Sequence, residues 1–362
     1  MQYSGRAADY PGSHESVTRA GIAARLARLL GYDDGGEYDP ACRYPGRLYF
    51  VPGDTLVDES ARALGIRGEQ DLFGGVVPCP FLATKAVAHP LVEGGFAPPG
   101  WLHAFGSRVT SVVLYGYTAF TQDDARRAGR RVLATGDARV KPGQGIGGRG
   151  QEVVSNAAEL DAALDALDAA SLLRDGVVIE QDLKEVTTYS VGRLRVGDFL
   201  ASYVGTQRLT PDNGGAQVYG GSDLVVVRGD YDALPGLGLA PAFLAAVERA
   251  RAFDSEVSRA YPGLIASRRN YDIAQGLDAS GKPRIGLLEQ SWRIGGASPA
   301  EIAALEAFQK NPHLRAVQAC CVELYGNAAT VPPGATTYFC RADARVGRIT
   351  KYAFVRDHGS PA

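Results

Sequence analysis

Two acids late in this 362-residue chain, Asp272 and Glu289, lie equally far from the turn chemistry at Asp278-Ala-Ser-Gly-Lys282. A hairpin folded about Ser280–Gly281 sets them directly opposite each other, with Cβ atoms ~4.5–5.5 Å apart on one face. Carboxylates that close repel unless a proton or a cation sits between them. Strand alternation adds Ser291 and Arg293 to the same face and turns Trp292 toward the core. Oxygen ligands for a hard divalent cation, beside an arginine suited to phosphate, predict nucleotide phosphate chemistry. The plainer fate of such acids is a salt bridge, here with Arg268 or Arg269.

Composition narrows the rest. Length predicts two or three domains, and 45% hydrophobic with 22% charged residues is ordinary globular material. A net charge of −2 gives no electrostatic case for nucleic acid or for an anionic membrane. The five cysteines form no Cys-x-x-Cys pair, which predicts free thiols in a reducing compartment. The five histidines show no zinc spacing. The N-terminus has no apolar run of signal-peptide length, and nothing approaches a transmembrane span. These features predict a cytoplasmic protein.

The apolar periodicity predicts an α+β chain. Helices are expected over about 15–32, from Thr121 to Gly136, after a Ser155 cap, over 241–261, after a Ser298 cap with Glu301 closing a capping box, and over about 313–324. Strands are expected over 108–117, up to Lys141 with a return at 152–154, at "GVVIE", in three long runs after Glu185, and in a terminal hairpin. Adjacent Cys320 and Cys321 fall on the last helix as buried packing. This organisation predicts an N-terminal α/β unit over 1–84 and two lobes over 85–184 and 185–362.

The stretch from Gly143 to Gly150 matches G-x-G-x-x-G at 143, 145 and 148. The dinucleotide fingerprint should open straight into a helix, and a strand-like "QEVV" intervenes; no Gly-Lys-Ser/Thr follows either. Two readings stay open: a glycine lid over a triphosphate, with Lys141 aimed at the same anion, or an exposed hairpin loop. The strand end at Glu180, Gln181 and Leu183 offers backbone groups to an adenine edge, or simply leaves its lobe. Arg208 and the Tyr219–Asp223 segment are substrate-site candidates, with an exposed arginine and a tight turn as the alternative.

The order of parts is distinctive: a lysine, a lysine with a glycine loop, a hydrophobic strand ending in glutamate, then Asp…Glu-x-Ser-x-Arg. From about Lys85 to Ala297 the chain resembles the ATP-grasp superfamily. "DLFGGVVP", "SRRNYD" and "LEQSWRIGGAS" are similar, more closely, to a bacterial ATP-grasp-like family of unknown function (domain of unknown function 3182). The resemblance implies an ATP-grasp fold, two α+β lobes clasping ATP, with a short N-terminal α/β domain.

It also implies roles. Lys85 and Lys141 would contact phosphates, and Gln144, Gly145, Gly147 and Gly148 would belong to the lid. Glu180, Gln181 and Leu183 would line the adenine site. Asp272 and Glu289 would bind magnesium, with manganese able to stand in, and Arg293 would lie near the transferred phosphate. Two positions depart from the pattern. Ser291 stands where relatives carry asparagine, and its reach as a metal ligand is shorter. The usual ribose carboxylate falls near Thr188, which leaves Glu185 as its substitute. The implied activity is ATP-dependent ligation of a small-molecule carboxylate to an amine, with Lys141, Arg293 and Arg208 as catalytic candidates. A small-molecule kinase, a non-catalytic nucleotide-binding module and a nicotinamide-binding oxidoreductase are the alternatives. Oligomeric state is not legible.

Overall fold

The computed structural model describes residues 1–4, 10–144, 150–326 and 330–356. Helix α1 (His14–Leu30) opens on Ser13, whose side chain accepts from the Ser16 N–H, and stops at Gly31 in the left-handed region. A three-stranded sheet sets Gly75–Val77 between Leu56–Val57 and Ile265–Ala266, so a late segment completes an early sheet.

A four-stranded antiparallel sheet follows, from β1 (Gly116–Ala119), β2 (Ala138–Pro142), β3 (Glu152–Val154) and β4 (Val177–Gln181), in the order β1-β4-β2-β3. Helices α2 (Gln122–Leu133) and α3 (Ala157–Asp165) cover one face through Ala125, Ala128, Val132, Leu160 and Leu164, packed on Val140 and Ile179.

The large sheet has eight antiparallel strands: β5 (Lys184–Val196), β6 (Phe199–Pro211), β7 (Gln217–Arg228), β8 (Arg268–Leu277), β9 (Pro283–Ser291), β10 (Ala316–Tyr325), β11 (Thr336–Asp343) and β12 (Gly347–Val355). Their order is β9-β8-β5-β6-β7-β10-β12-β11. Alternation splits its side chains between two cores. Val191, Val204, Tyr271, Ile273, Leu287 and Trp292 pack with helix α4 (Pro241–Ala260). Leu194, Tyr203, Leu224, Ala319 and Cys321 pack instead against α1 and helix α5 (Ser298–Lys310). The two sheets meet where the Leu287 N–H donates to the Val112 carbonyl at 2.9 Å. A Cβ on Gly286 would come within 2.6 Å of the Leu114 nitrogen, so only glycine permits this approach.

Several expectations are corrected. Residues 316–325 form strand β10, not a helix; both of its faces are apolar, so its pattern reads equally as a buried helix. Cys320 and Cys321 are therefore on opposite faces of a strand, and both are buried. The run 108–117 contains the end of a short helix, His103–Val109, and only Gly116 onward enters a sheet; Val109, Val112 and Val113 are buried without ladder pairing. Asn156, not Ser155, caps α3. Ser298 is the first residue of α5, and Glu301 is drawn away from any capping box by Arg268, at 2.7 and 2.8 Å. No helix among the described residues is long and apolar enough to cross a membrane.

Candidate nucleotide and metal site

Asp272 pairs with Glu289 in the β8–β9 ladder. The hairpin reaches that pairing indirectly. Leu277 faces Pro283 and Ile273 faces Leu287, a register centred on residue 280; Leu288 is then an extra residue, and the ladder resumes with Asp272 against Glu289. The bulge has a use: the Leu288 carbonyl accepts from Lys141 Nζ at 3.0 Å. The Leu288 side chain packs beside Leu114, Leu183 and Ala274 in a small apolar cluster drawn from both sheets.

Four charged groups from separate segments meet here. Lys85 contacts the Glu289 carboxylate. Lys141 Nζ lies 2.6 Å from Glu180 Oε1, with both side chains almost wholly buried. The backbone fixes the two lysines relative to each other, since the Lys85 N–H donates to the Gly143 carbonyl at 3.1 Å, just beyond β2. A Cβ on Gly143 would overlap the Asp175 carbonyl at 2.1 Å, so this junction requires glycine. Burial pushes the Lys141 ammonium below its usual pKa, with Lys85 adding to that and Glu180 opposing it. Burial also raises Glu180, against the pull of Lys141.

The two central acids differ. Burial raises Glu289, but Lys85 beside it, with help from Lys141 and Arg293, brings its carboxyl below the ordinary range. Asp272 has no ion pair among the described residues; burial and then the Glu289 charge hold its pKa up. Its Oδ1 accepts from Ser190 Oγ at 3.1 Å and from Asn270 Nδ2 at 2.9 Å. Gln207 Nε2 donates in turn to Ser190 Oγ at 2.9 Å. Arg268 and Arg269, the alternative partners for these acids, are engaged by Glu301 and Asp254.

A divalent cation fits this donor set. The facing groups are hard oxygens, and one carboxylate is held close to another without a countercharge of its own. Asp272 and Glu289 would hold the ion.

The remaining expected site residues separate into three groups. Arg293 is half-buried near Glu289, and its Nη1 donates to the Ile294 carbonyl at 2.8 Å. Ser291 pairs with Asn270 across the ladder. Gln181 donates its N–H to the Tyr115 carbonyl, and Leu183 is buried in the apolar cluster. Glu185 is exposed at a break in the β5–β8 register, with φ 53, a left-handed conformation unusual for a residue with a side chain. Exposed Gln144 donates to Asp175 at 3.3 Å, whereas Gly145, Gly147 and Gly148 lie outside the described residues.

Arg208 is corrected. Gln207 reaches the Asp272 side of the sheet, so alternation sends Arg208 to the other side, where it pairs with Asp223 at 2.6 Å and donates to the Cys321 carbonyl. The catalytic expectation for it does not fit this placement.

Sequence reasoning missed Ser190, Gln207, Asn270 and His89. Fully buried His89 has Nε2 at 3.3 Å from Glu180 Oε2, and burial followed by the Lys141 charge lowers its pKa to about 3. Asn270 had a legible signal, because two residues before Asp272 is the same strand face. Ser190 and Gln207 had none, as only the sheet order brings them near.

The fold is shared with solved ATP-grasp structures. N5-carboxyaminoimidazole synthetase from Staphylococcus aureus complexed with ADP superposes with a TM-score of 0.53 at 10% identity, covering 99% of this chain and 93% of that one. A biotin carboxylase–β-γ-ATP complex from Campylobacter jejuni gives 0.51 at 11% identity, covering 98% and 87%. D-alanyl-alanine synthetase A from Vibrio cholerae gives 0.50 at 13% identity, covering 86% and 93%. No curated protein sequence matches the chain. Residues 3–353 match the family described as "Protein of unknown function (DUF3182)", and the chain belongs to that family.

Proposed function

We propose that this protein binds ATP with a divalent cation, magnesium or manganese, and uses it to join a small-molecule carboxylate to an amine. The observation that carries the reading is the convergence of Lys85, Lys141, Asp272 and Glu289 from both sheets on one cluster. Two lysines and two acids in that arrangement suit a triphosphate and its cation. The solved relatives that hold ADP or an ATP analogue share the scaffold.

When bound, the cation would draw charge from the phosphates as the terminal phosphoryl group leaves ADP. The protein's own groups do the rest. Lys85 has a buried stem and an ammonium that can share Glu289 with a phosphate oxygen. Lys141 is fixed between Glu180 and the Leu288 carbonyl, so it meets an incoming phosphate without reorganisation. Leu114, Leu183, Ala274 and Leu288 form an apolar wall suited to a purine. Arg293 supplies positive charge beside Glu289, where the carboxylate substrate would be phosphorylated. The carboxylate oxygen takes the γ-phosphoryl group as its bond to the ADP oxygen breaks. An amine then forms the bond to the acyl carbon, phosphate departs, and the amine loses a proton. No protein nucleophile is needed.

We further propose that residues 85–184 and 185–362 act as the two lobes of the clasp, with 1–84 as the appended unit. The activity is tested by incubating the full chain with Mg-ATP and panels of carboxylates and amines. A ligase releases ADP with its acid and yields a condensed product only when an amine is present. A stable phosphate ester formed without amine would replace this reading with a kinase.

A further inference from the structure

Asn270 and Ser291 are cross-strand partners beside the acid pair, and the hydrogen-bond count around Asn270 does not close. Tyr203 OH lies 2.7 Å from Glu301 Oε1 and 2.8 Å from Asn270 Oδ1. A phenol has one proton, so it donates to one of them only. Glu301 is the stronger acceptor, being a carboxylate. Its position is also fixed, because Arg268 grips it from Nε and Nη2 at 2.8 and 2.7 Å. With the Tyr203 proton on Glu301, the 2.8 Å contact to Asn270 is a hydrogen bond only if the amide presents its NH2 group to the phenol oxygen.

Turning the amide over has a consequence at its other end. Oδ1 then faces Asp272 Oδ1 across the 2.9 Å contact now made by Nδ2. Oxygen against oxygen at that separation needs positive charge between them. A cation held by Asp272 and Glu289 supplies that charge. The two amide orientations thus match two states of one site: nitrogen toward Asp272 without the ion, oxygen toward it with the ion. Ser291, where related sequences carry asparagine, has a hydroxyl one bond from Cβ, and the Asn270 oxygen extends one bond further.

We infer that Asn270 supplies a third oxygen ligand to the cation, replacing from the neighbouring strand the ligand that Ser291 is too short to give. The inference rests on the proposed metal–nucleotide site. Tyr203 and Glu301 act as positioning residues, since they set which way the amide turns.

The test titrates Mn2+ into the full chain in the presence of ADP, reading free Mn2+ by its paramagnetic resonance signal. Asn270→Ala is expected to weaken Mn2+ binding by roughly 10–100-fold, and Ser291→Ala by less than about threefold. Asn270→Asp keeps an oxygen and adds charge, so it should bind Mn2+ at least as tightly as the wild type. Wild-type binding with Asn270→Ala unchanged, or with Ser291→Ala equally damaged, overturns this inference alone. Absence of Mn2+ binding by the wild type overturns both it and the functional reading. If Asn270→Ala loses its cooperative melt, Asn270→Asp decides: tighter binding supports the ligand role, weaker binding overturns it.

Discussion

Glu289 stands opposite Asp272 because Leu288 is an extra residue in its strand. That one bulge sets the acid pair, offers a carbonyl to Lys141 and places an apolar side chain against Leu114 and Leu183. Acid pair, lysine and apolar wall are therefore coupled through three consecutive backbone positions.

Lys141 and Glu180 form a buried pair, so removing one partner leaves the other charged and unpaired. Lys141→Met should destabilise the fold by roughly 3–5 kcal/mol, and Lys141→Met combined with Glu180→Gln should regain much of that in urea unfolding. Neither variant should recover nucleotide affinity. Recovery of binding by the double variant would remove Lys141 from the phosphate site.

Lys85 draws the Glu289 carboxyl below its ordinary range. Lys85→Met should therefore let Glu289 titrate at a higher pH, followed by carboxyl-sensitive NMR. It should also weaken binding of an ATP analogue by about tenfold or more. Unchanged affinity would mean that this ammonium serves Glu289 only.

Buried His89 titrates at about 3 in the fold, against about 6.5 when unfolded. Between those values the unfolded chain binds the extra proton, so stability falls as pH falls, by up to about 1.4 kcal/mol per pH unit. His89→Gln should flatten that part of the stability–pH curve, measured by urea unfolding from pH 7 to 4. An unaltered slope would show that His89 is not buried neutral.

Arg208→Ala should leave nucleotide affinity within about twofold, because Asp223 and the Cys321 carbonyl, not the acid pair, receive its guanidinium. A large loss, measured by calorimetry, would return Arg208 to the site.

The sequence carried the hairpin pairing and the strand ending at Glu180, since both rest on local turns and alternation. Its account of β10 failed because Ala319, Cys320 and Cys321 are all buried, which erases the period that separates strand from helix. The Asp272 neighbours Ser190 and Gln207 stayed invisible for a different reason. They lie on β5 and β6, and their proximity exists only through the order of strands in the sheet.

The central claim is that Asp272 and Glu289 hold a cation that carries a triphosphate to Lys85 and Lys141. Calorimetric titration of a non-hydrolysable ATP analogue, with and without Mg2+, tests it on the wild type and on Asp272→Asn/Glu289→Gln. The account predicts at least about tenfold tighter binding with Mg2+, and loss of that gain in the double variant. Absence of binding by the wild type, or equal affinity with and without Mg2+, would contradict it.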